Sequence, residues 1–215
     1  MENTAKKPWI LAISLSHKPF LDEVFEPLMA QIWPKADFLR AEDTESVNRL
    51  FSREPPPTAV LITDEGLAEE QNSHVRHAVL RYVRGGGTAV VMGSFSSFVL
   101  PLNIKSFFAQ AGLGWSAASY TGEEFVLNDA AVDSGLAAKM VPAYSTKALF
   151  LDNVAFNDAW YVTDEESNVS SPTNAKAGES AVVFASVGNG KLGYVGDVNA
   201  EHGSNVAVLA MCGLL

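Results

Sequence analysis

The chain has a single cysteine, Cys212, near its C-terminal end. One cysteine cannot build a disulfide framework or a cysteine-rich zinc site. No apolar stretch is long enough to cross a bilayer. No dense Lys/Arg block offsets the formal net charge of -10, so phosphate backbones and anionic lipid surfaces are repelled, and neither nucleic acid nor membrane is an expected partner. The sequence also lacks G-x-S-x-G, HExxH, internal repeats and low-complexity tracts. The early run WILAISL is short for a secretory core and has no typical cleavage site after it, so it reads as a strand. A reduced, cytoplasmic protein is the expectation. The triplet NVS at 168–170 matches a glycosylation acceptor, a match too short to carry weight.

What is present is the material of a folded core. Hydrophobic residues make up 47% of the 215 and charged residues 19%, which argues against disorder. Apolar runs predict strands over 9–15, 36–40, 58–63 and 88–92. Between them, Phe20, Val24, Leu28 and Ile32 recur one helical turn apart over 20–33. A second helix opens at Thr44 and is stopped by Pro55, Pro56 and Pro57. A third covers 73–84 and is stopped by Gly85, Gly86 and Gly87. Strands alternating with helices at this spacing imply right-handed βαβ units and a parallel sheet.

The pattern then changes. Helical segments are expected at 106–111, 134–140 and 204–214, and strands at 123–127, 148–153 and 159–163. A polar loop covers 164–178, the best candidate for mobility. A hairpin over 181–195 turns at Gly188, Asn189 and Gly190. The predicted architecture is α/β and flavodoxin-like: a doubly wound, mostly parallel sheet with helices on both faces and an additional antiparallel portion in the C-terminal half. The whole chain, 1–215, reads as one domain.

In open parallel sheets, ligands bind beyond the carboxyl ends of the strands, where strand order reverses. Those ends are polar here: Ser14, Ser16 and His17; Arg40, Glu42 and Asp43; Asp64 and Glu65; Ser94, Ser96 and Ser97; then Asp197, Asn199, Glu201 and His202. The hydrolytic reading takes Ser94 or Ser96 as nucleophile, His202 as base and Glu201 or Asp197 as its orienter. Gly66 and Gly93 would lend N–H groups to an oxyanion. The ligand-binding reading gathers Ser16, His17, Asp64, Glu65, Gly66, Gly93, Phe95 and Asn199, with Phe95, Phe98 and Trp115 as an apolar wall. The plainer reading is that strand-end polar residues cap helices and satisfy loop backbone. His17, Asp64, Asp197 and His202 have metal-ligating chemistry, but no paired-histidine spacing supports a site; His74 and His77 suit the polar side of a helix. No metal and no cofactor is expected. The GGG run precedes a strand, the reverse of a phosphate-binding loop. Cys212 reads as core packing, and Trp9, Trp33, Trp115 and Trp160 as core or pocket wall.

The segments YVRGGGTAVVMGSFSS and VVFASVGNGKLGYVGDVN together resemble the class I glutamine amidotransferase-like superfamily, in particular its ThuA-like branch. The resemblance covers most of the chain and implies an elbow turn after TAVVM. The superfamily places a cysteine there in G-x-C-x-G. With Gly93 as the first glycine, Phe95 stands in the nucleophile's place; shifted by one, Ser94 does. The superfamily also has a histidine and a glutamate two apart after the last core strand, where this chain has Glu201 and His202 adjacent and reversed. ThuA-like domains have a histidine near the elbow, where this chain has Ser94 and Phe95. The resemblance implies an amidotransferase-like domain without cysteine-dependent glutamine hydrolysis. It would bind a small polar molecule (a sugar, polyol or neutral amide) or a protein partner, with serine hydrolysis and a scaffold role as alternatives. A homodimer is a further expectation.

Overall fold

Five parallel strands run through the middle and one flank of a nine-stranded sheet. The computed structural model describes residues 7–163 and 178–215. The NVS triplet and all of the expected polar loop except Gly178 lie outside the described residues. The parallel strands are β1 (Trp9–Ile13), β2 (Asp37–Ala41), β3 (Ala59–Ile62), β4 (Thr88–Val91) and β9 (Gly190–Val195). The antiparallel ones are β5 (Ser116–Leu127), β6 (Ala143–Asp152), β7 (Ala159–Thr163) and β8 (Val182–Val187). The sheet order is β2-β1-β3-β4-β9-β8-β7-β5-β6, the flavodoxin-like order extended by an antiparallel portion. β6 comes back to the end of β9 through a bridge between Ala148 and Asp197.

The apolar runs of the central strands become a core because alternate side chains leave opposite faces. Leu11, Ile13, Val60, Ile62, Ala89 and Val91 meet one helical layer; Ile10, Ala12, Ala59, Leu61, Val90 and Met92 meet the other. The first layer is α2 (Thr44–Phe51), α3 (Ser73–Arg84) and α5 (Pro101–Ala111), giving Val47, Val79, Phe107 and Phe108. The second is α1 (Asp22–Ile32) and α7 (His202–Met211), giving Leu28, Ile32, Val206 and Leu209. Two short helices complete the set, α4 (Phe95–Phe98) and α6 (Ser134–Ala137). Both layers are needed because β1, β3 and most of β4 are buried on both faces.

Several expectations are corrected. Phe20 belongs to a 3-10 turn before α1 and is 70% exposed, so it is not on the buried stripe. Trp33, the C-cap of α1, is 54% exposed and outside the core. α5 begins five residues early, at Pro101, which has no N–H to waste at a first helical position. α6 stops at Ala137, short of the expected 140. β5 has 12 residues, because its polar first half, SAASYTG, is extended by pairing with β6 and carries no apolar run to announce it.

Candidate functional site

The chain crosses from β2 to β3 over β1, so strand order reverses between β1 and β3. At the carboxyl ends of these strands lies a cavity of about 50 Å³. Its floor is Ser14, Thr63, Asp64, Gly93 and Ser94. Its rim is His17, Lys18, Asp22 and Arg40, and its apolar wall includes Phe25, Leu28, Met29, Phe38 and Met92.

The floor is set by how the strands end. Thr63 follows β3 and donates its hydroxyl to Ile13 O at 3.1 Å. Ser14, following β1, lies 2.6 Å from that same Thr63 oxygen. With the threonine proton committed, Ser14 is the donor of this bond. β4 ends in Gly93, whose φ is +70°. A Cβ there would stand 2.5 Å from Thr63 O, so only glycine fits both the left-handed conformation and the close approach. The turn aims Ser94, which donates its N–H to Thr63 O at 2.9 Å and its hydroxyl to the same oxygen at 3.2 Å.

Asp64 is the least ordinary group. It is 1% exposed. Its Oδ1 accepts the Gly66 N–H at 3.0 Å, capping the 3-10 turn Glu65–Ala68. Its Oδ2 is buried without a hydrogen-bond partner among the described residues. Burial pushes its carboxyl above the usual range, against the opposing pull of the Gly66 and Ser16 backbone N–H groups and Lys18; the Glu65 carboxylate adds to the rise. Glu65 holds Lys18 at 2.6 Å through Oε1, and its Oε2 is also buried without a partner. Gly66 lets this turn rest on the end of β1, since a Cβ would stand 2.8 Å from Leu15 Cβ and Ser16 Oγ.

The rim is a charge network. Arg40 donates to Asp22 at 3.0 Å and to His17 Nε2 at 2.9 Å. With Nε2 accepting, the ring donates from Nδ1 to Glu42, 3.1 Å away. Asp22 also lies 3.1 Å from His17. Burial raises the Asp22 carboxyl, but His17 and Arg40 beside it outweigh that, and the net shift is downward.

The structure thus brings together His17, Asp64 and Gly93 of the expected ligand set, and Ser94 of the expected catalytic set. It adds Lys18, Asp22, Phe25 and Met29, which strand-end reasoning missed because they come from the approach to α1 and from α1 itself. Ser16 and Glu65 are not among the residues that line the cavity. Other expectations are corrected. Gly66 spends its N–H on Asp64 and has none to lend to an oxyanion. Phe95 is fully buried, edge-on to Phe107 and Tyr194, and Trp115 is buried against Phe108, so neither forms a ligand wall; Phe98 is exposed under Lys18.

The two serines and the Asp197 carboxylate are engaged elsewhere. Ser96 lies 3.1 Å from the Tyr194 hydroxyl, which itself donates to Leu149 O, so Ser96 is the donor. Asp197 spends Oδ1 on the Thr146 hydroxyl at 2.8 Å and the Asn199 N–H at 2.7 Å, and Oδ2 on the Glu201 N–H at 2.8 Å. It organises the loop from β9 into α7. Asn199, Glu201 and His202 are exposed there. Among the described residues, no hydrogen bond joins His202 to Ser94 or Ser96. Cys212 caps α7, buried, with its thiol pushed up to about 12 by desolvation. No group of three or more His, Cys, Asp or Glu residues with metal-holding geometry occurs among the described residues.

No protein-family model matches the chain, and no curated protein sequence matches it. Solved structures do. A ThuA-like protein from Bacteroides uniformis superposes with a TM-score of 0.64 at 9% identity, over 97% of this chain and 92% of that one. A ThuA-like protein from Parabacteroides merdae gives 0.58 at 14% identity, over 96% and 89%. A β-galactosidase from Bacillus circulans sp. alkalophilus gives 0.53 at 13% identity, over 96% of this chain but 31% of that one. At these identities the likeness is one of fold: the chain has the fold of these ThuA-like proteins.

Proposed function

We propose that this protein binds a small polar molecule in the crevice where β1, β3 and β4 end, and that it does so without glutamine amidotransferase chemistry. The observation that carries the reading is Asp64: a carboxylate 1% exposed, lining the cavity, with one oxygen unpartnered. An orphaned buried acceptor is costly, and it persists where a ligand supplies the missing bond. Two further observations support the noncatalytic part. In a nucleophile elbow the reacting residue occupies the strained turn after the strand; that conformation belongs here to Gly93, which has no side chain. The Ser94 and Ser96 hydroxyls donate to a carbonyl and a tyrosine, with no base on either.

The test is a thermal-shift screen of small sugars, polyols, amides and amines against the wild type and Asp64→Asn. The reading expects at least one compound to raise the wild-type Tm by several degrees and to leave the variant unmoved. Compounds that move both equally, or none that moves either, would count against it. Covalent labelling of Ser94 by a fluorophosphonate would instead establish a serine hydrolase.

A further inference from the structure

The hydroxyl donors at the cavity floor are spent. Thr63 gives its proton to Ile13 O, Ser14 to Thr63 Oγ1, and Ser94 to Thr63 O. What the two serines still offer is lone pairs, and Asp64 adds a carboxylate oxygen that has no partner. On the rim, Lys18 donates to Glu65 and Ser16 O, and Arg40 donates through Nη1 to Asp22 and His17. A group that reaches the floor therefore meets hydroxyl and carboxylate acceptors, and one that donates is favoured there.

The charge has a sign as well. Asp22, Glu42, Asp64 and Glu65 stand against two fixed cations, Lys18 and Arg40. Even a protonated His17 leaves one carboxylate in excess, and the partnered ones leave Asp64 as that carboxylate. An anion is disfavoured, and a cation that donates hydrogen bonds in several directions is favoured.

Size sets the shape of the ligand. At about 50 Å³ the cavity holds about three or four water-sized groups. That is room for a head group and not for a whole metabolite. The cavity shares Asp22, Met29, Phe38 and Arg40 with a wider groove of about 500 Å³ between α1 and β2, whose remaining lining is Glu23, Glu26 and the exposed Trp33. An indole face beside Met29 and Phe38 suits an apolar body lying outward from the head group.

We propose that this crevice is a receptor for a primary ammonium group carried on an apolar body, the ammonium donating to Asp64, Ser14 and Ser94 and the body lying along Met29, Phe38 and Trp33. The proposal rests on the ligand-binding reading above and narrows it to one chemistry. It assigns roles to Ser14 and Trp33 that fold likeness does not supply.

The experiment is calorimetric and thermal-shift titration of the full chain with n-hexylammonium, hexan-1-ol, hexanoate and glucose. Hexylammonium is expected to bind and, near a hundredfold excess over its Kd, to raise Tm by roughly 5–10 °C. The other three should leave Tm unmoved. Asp64→Asn should weaken hexylammonium roughly ten- to hundredfold, the range for loss of a charged hydrogen bond. Trp33→Ala, at an exposed position, should weaken hexylammonium and leave methylammonium unchanged. If hexan-1-ol or glucose binds as well or better, and loses that binding in Asp64→Asn, the ammonium proposal falls while the ligand-binding reading stands. If hexylammonium binds Asp64→Asn as tightly as the wild type, the assignment of the head group is overturned. If none of the four moves the wild type, the ammonium proposal falls, and a failed broader screen takes the ligand-binding reading with it.

Discussion

Replacing Asp64 by asparagine should stabilise the ligand-free protein, and by an amount that depends on pH. The amide oxygen keeps the bond from Gly66 N, and the substitution removes a buried charge whose second oxygen has no partner. An unmatched polar group in an interior costs about 1–3 kcal/mol, more when charged. For a chain of 215 residues, each kcal/mol is worth about 2–4 °C in Tm, so a gain of roughly 2–10 °C is expected near neutral pH. Burial holds the folded-state pKa of Asp64 above its ordinary value, so the native chain binds this proton more tightly than the unfolded chain does. Its contribution to wild-type stability is therefore greatest below about pH 4, falls as pH rises through the folded-state pKa, and stays low above it. The difference between variant and wild type should follow the opposite course, near zero at about pH 3.5 and at its plateau above the folded pKa. Paired urea or thermal unfolding curves across that range measure it. A variant less stable than the wild type at neutral pH, or a difference that does not change with pH, would refute the reasoning about Asp64.

Gly93→Ala should cost more than about 2 kcal/mol in urea unfolding, since it combines a left-handed backbone with a Cβ 2.5 Å from Thr63 O; a near-neutral effect would show that the turn after β4 is looser than described. Asp197→Ala removes the acceptor of three hydrogen bonds that tie β6 and the start of α7 together, and should cost about 3–5 kcal/mol by the same measurement. Cys212, buried and with its thiol pushed up to about 12, should react with a disulfide reagent only as fast as the protein unfolds; fast native-state labelling would contradict its placement.

The parallel half of the fold was legible because its physics is local. WILAI, AVLI and TAVV are fully or almost fully buried strands, and such runs are apolar at nearly every position. The GGG stop of α3 and the turn between β8 and β9 were legible for the same reason, since each is a backbone requirement met by the residue that stands there. The first half of β5 was not, because its extension is imposed by its partner strand. Among site residues, His17, Asp64, Gly93 and Ser94 followed from the strand-end rule. Lys18, Asp22, Phe25 and Met29 did not, because their place over the strand ends depends on how α1 docks against α7 and the sheet. The supposed meeting of Ser94 or Ser96 with His202 turned on a loop that Asp197 folds another way. Phe95 looked like a pocket residue from its position, but the one-turn helix α4 rolls it into the aromatic core with Phe107 and Tyr194.

The central claim is that ligands enter at the end of β1, β3 and β4 and not at α7. Amide chemical-shift mapping on 15N-labelled protein, titrated with hexylammonium or with the best compound from the screen, tests it directly. The account predicts saturable shifts concentrated at Ser14, Ser16, Asp64, Gly66, Gly93 and Ser94, absent in Asp64→Asn. Shifts centred instead on Asn199, Glu201 and His202, or scattered over the surface and unchanged in the variant, would contradict it.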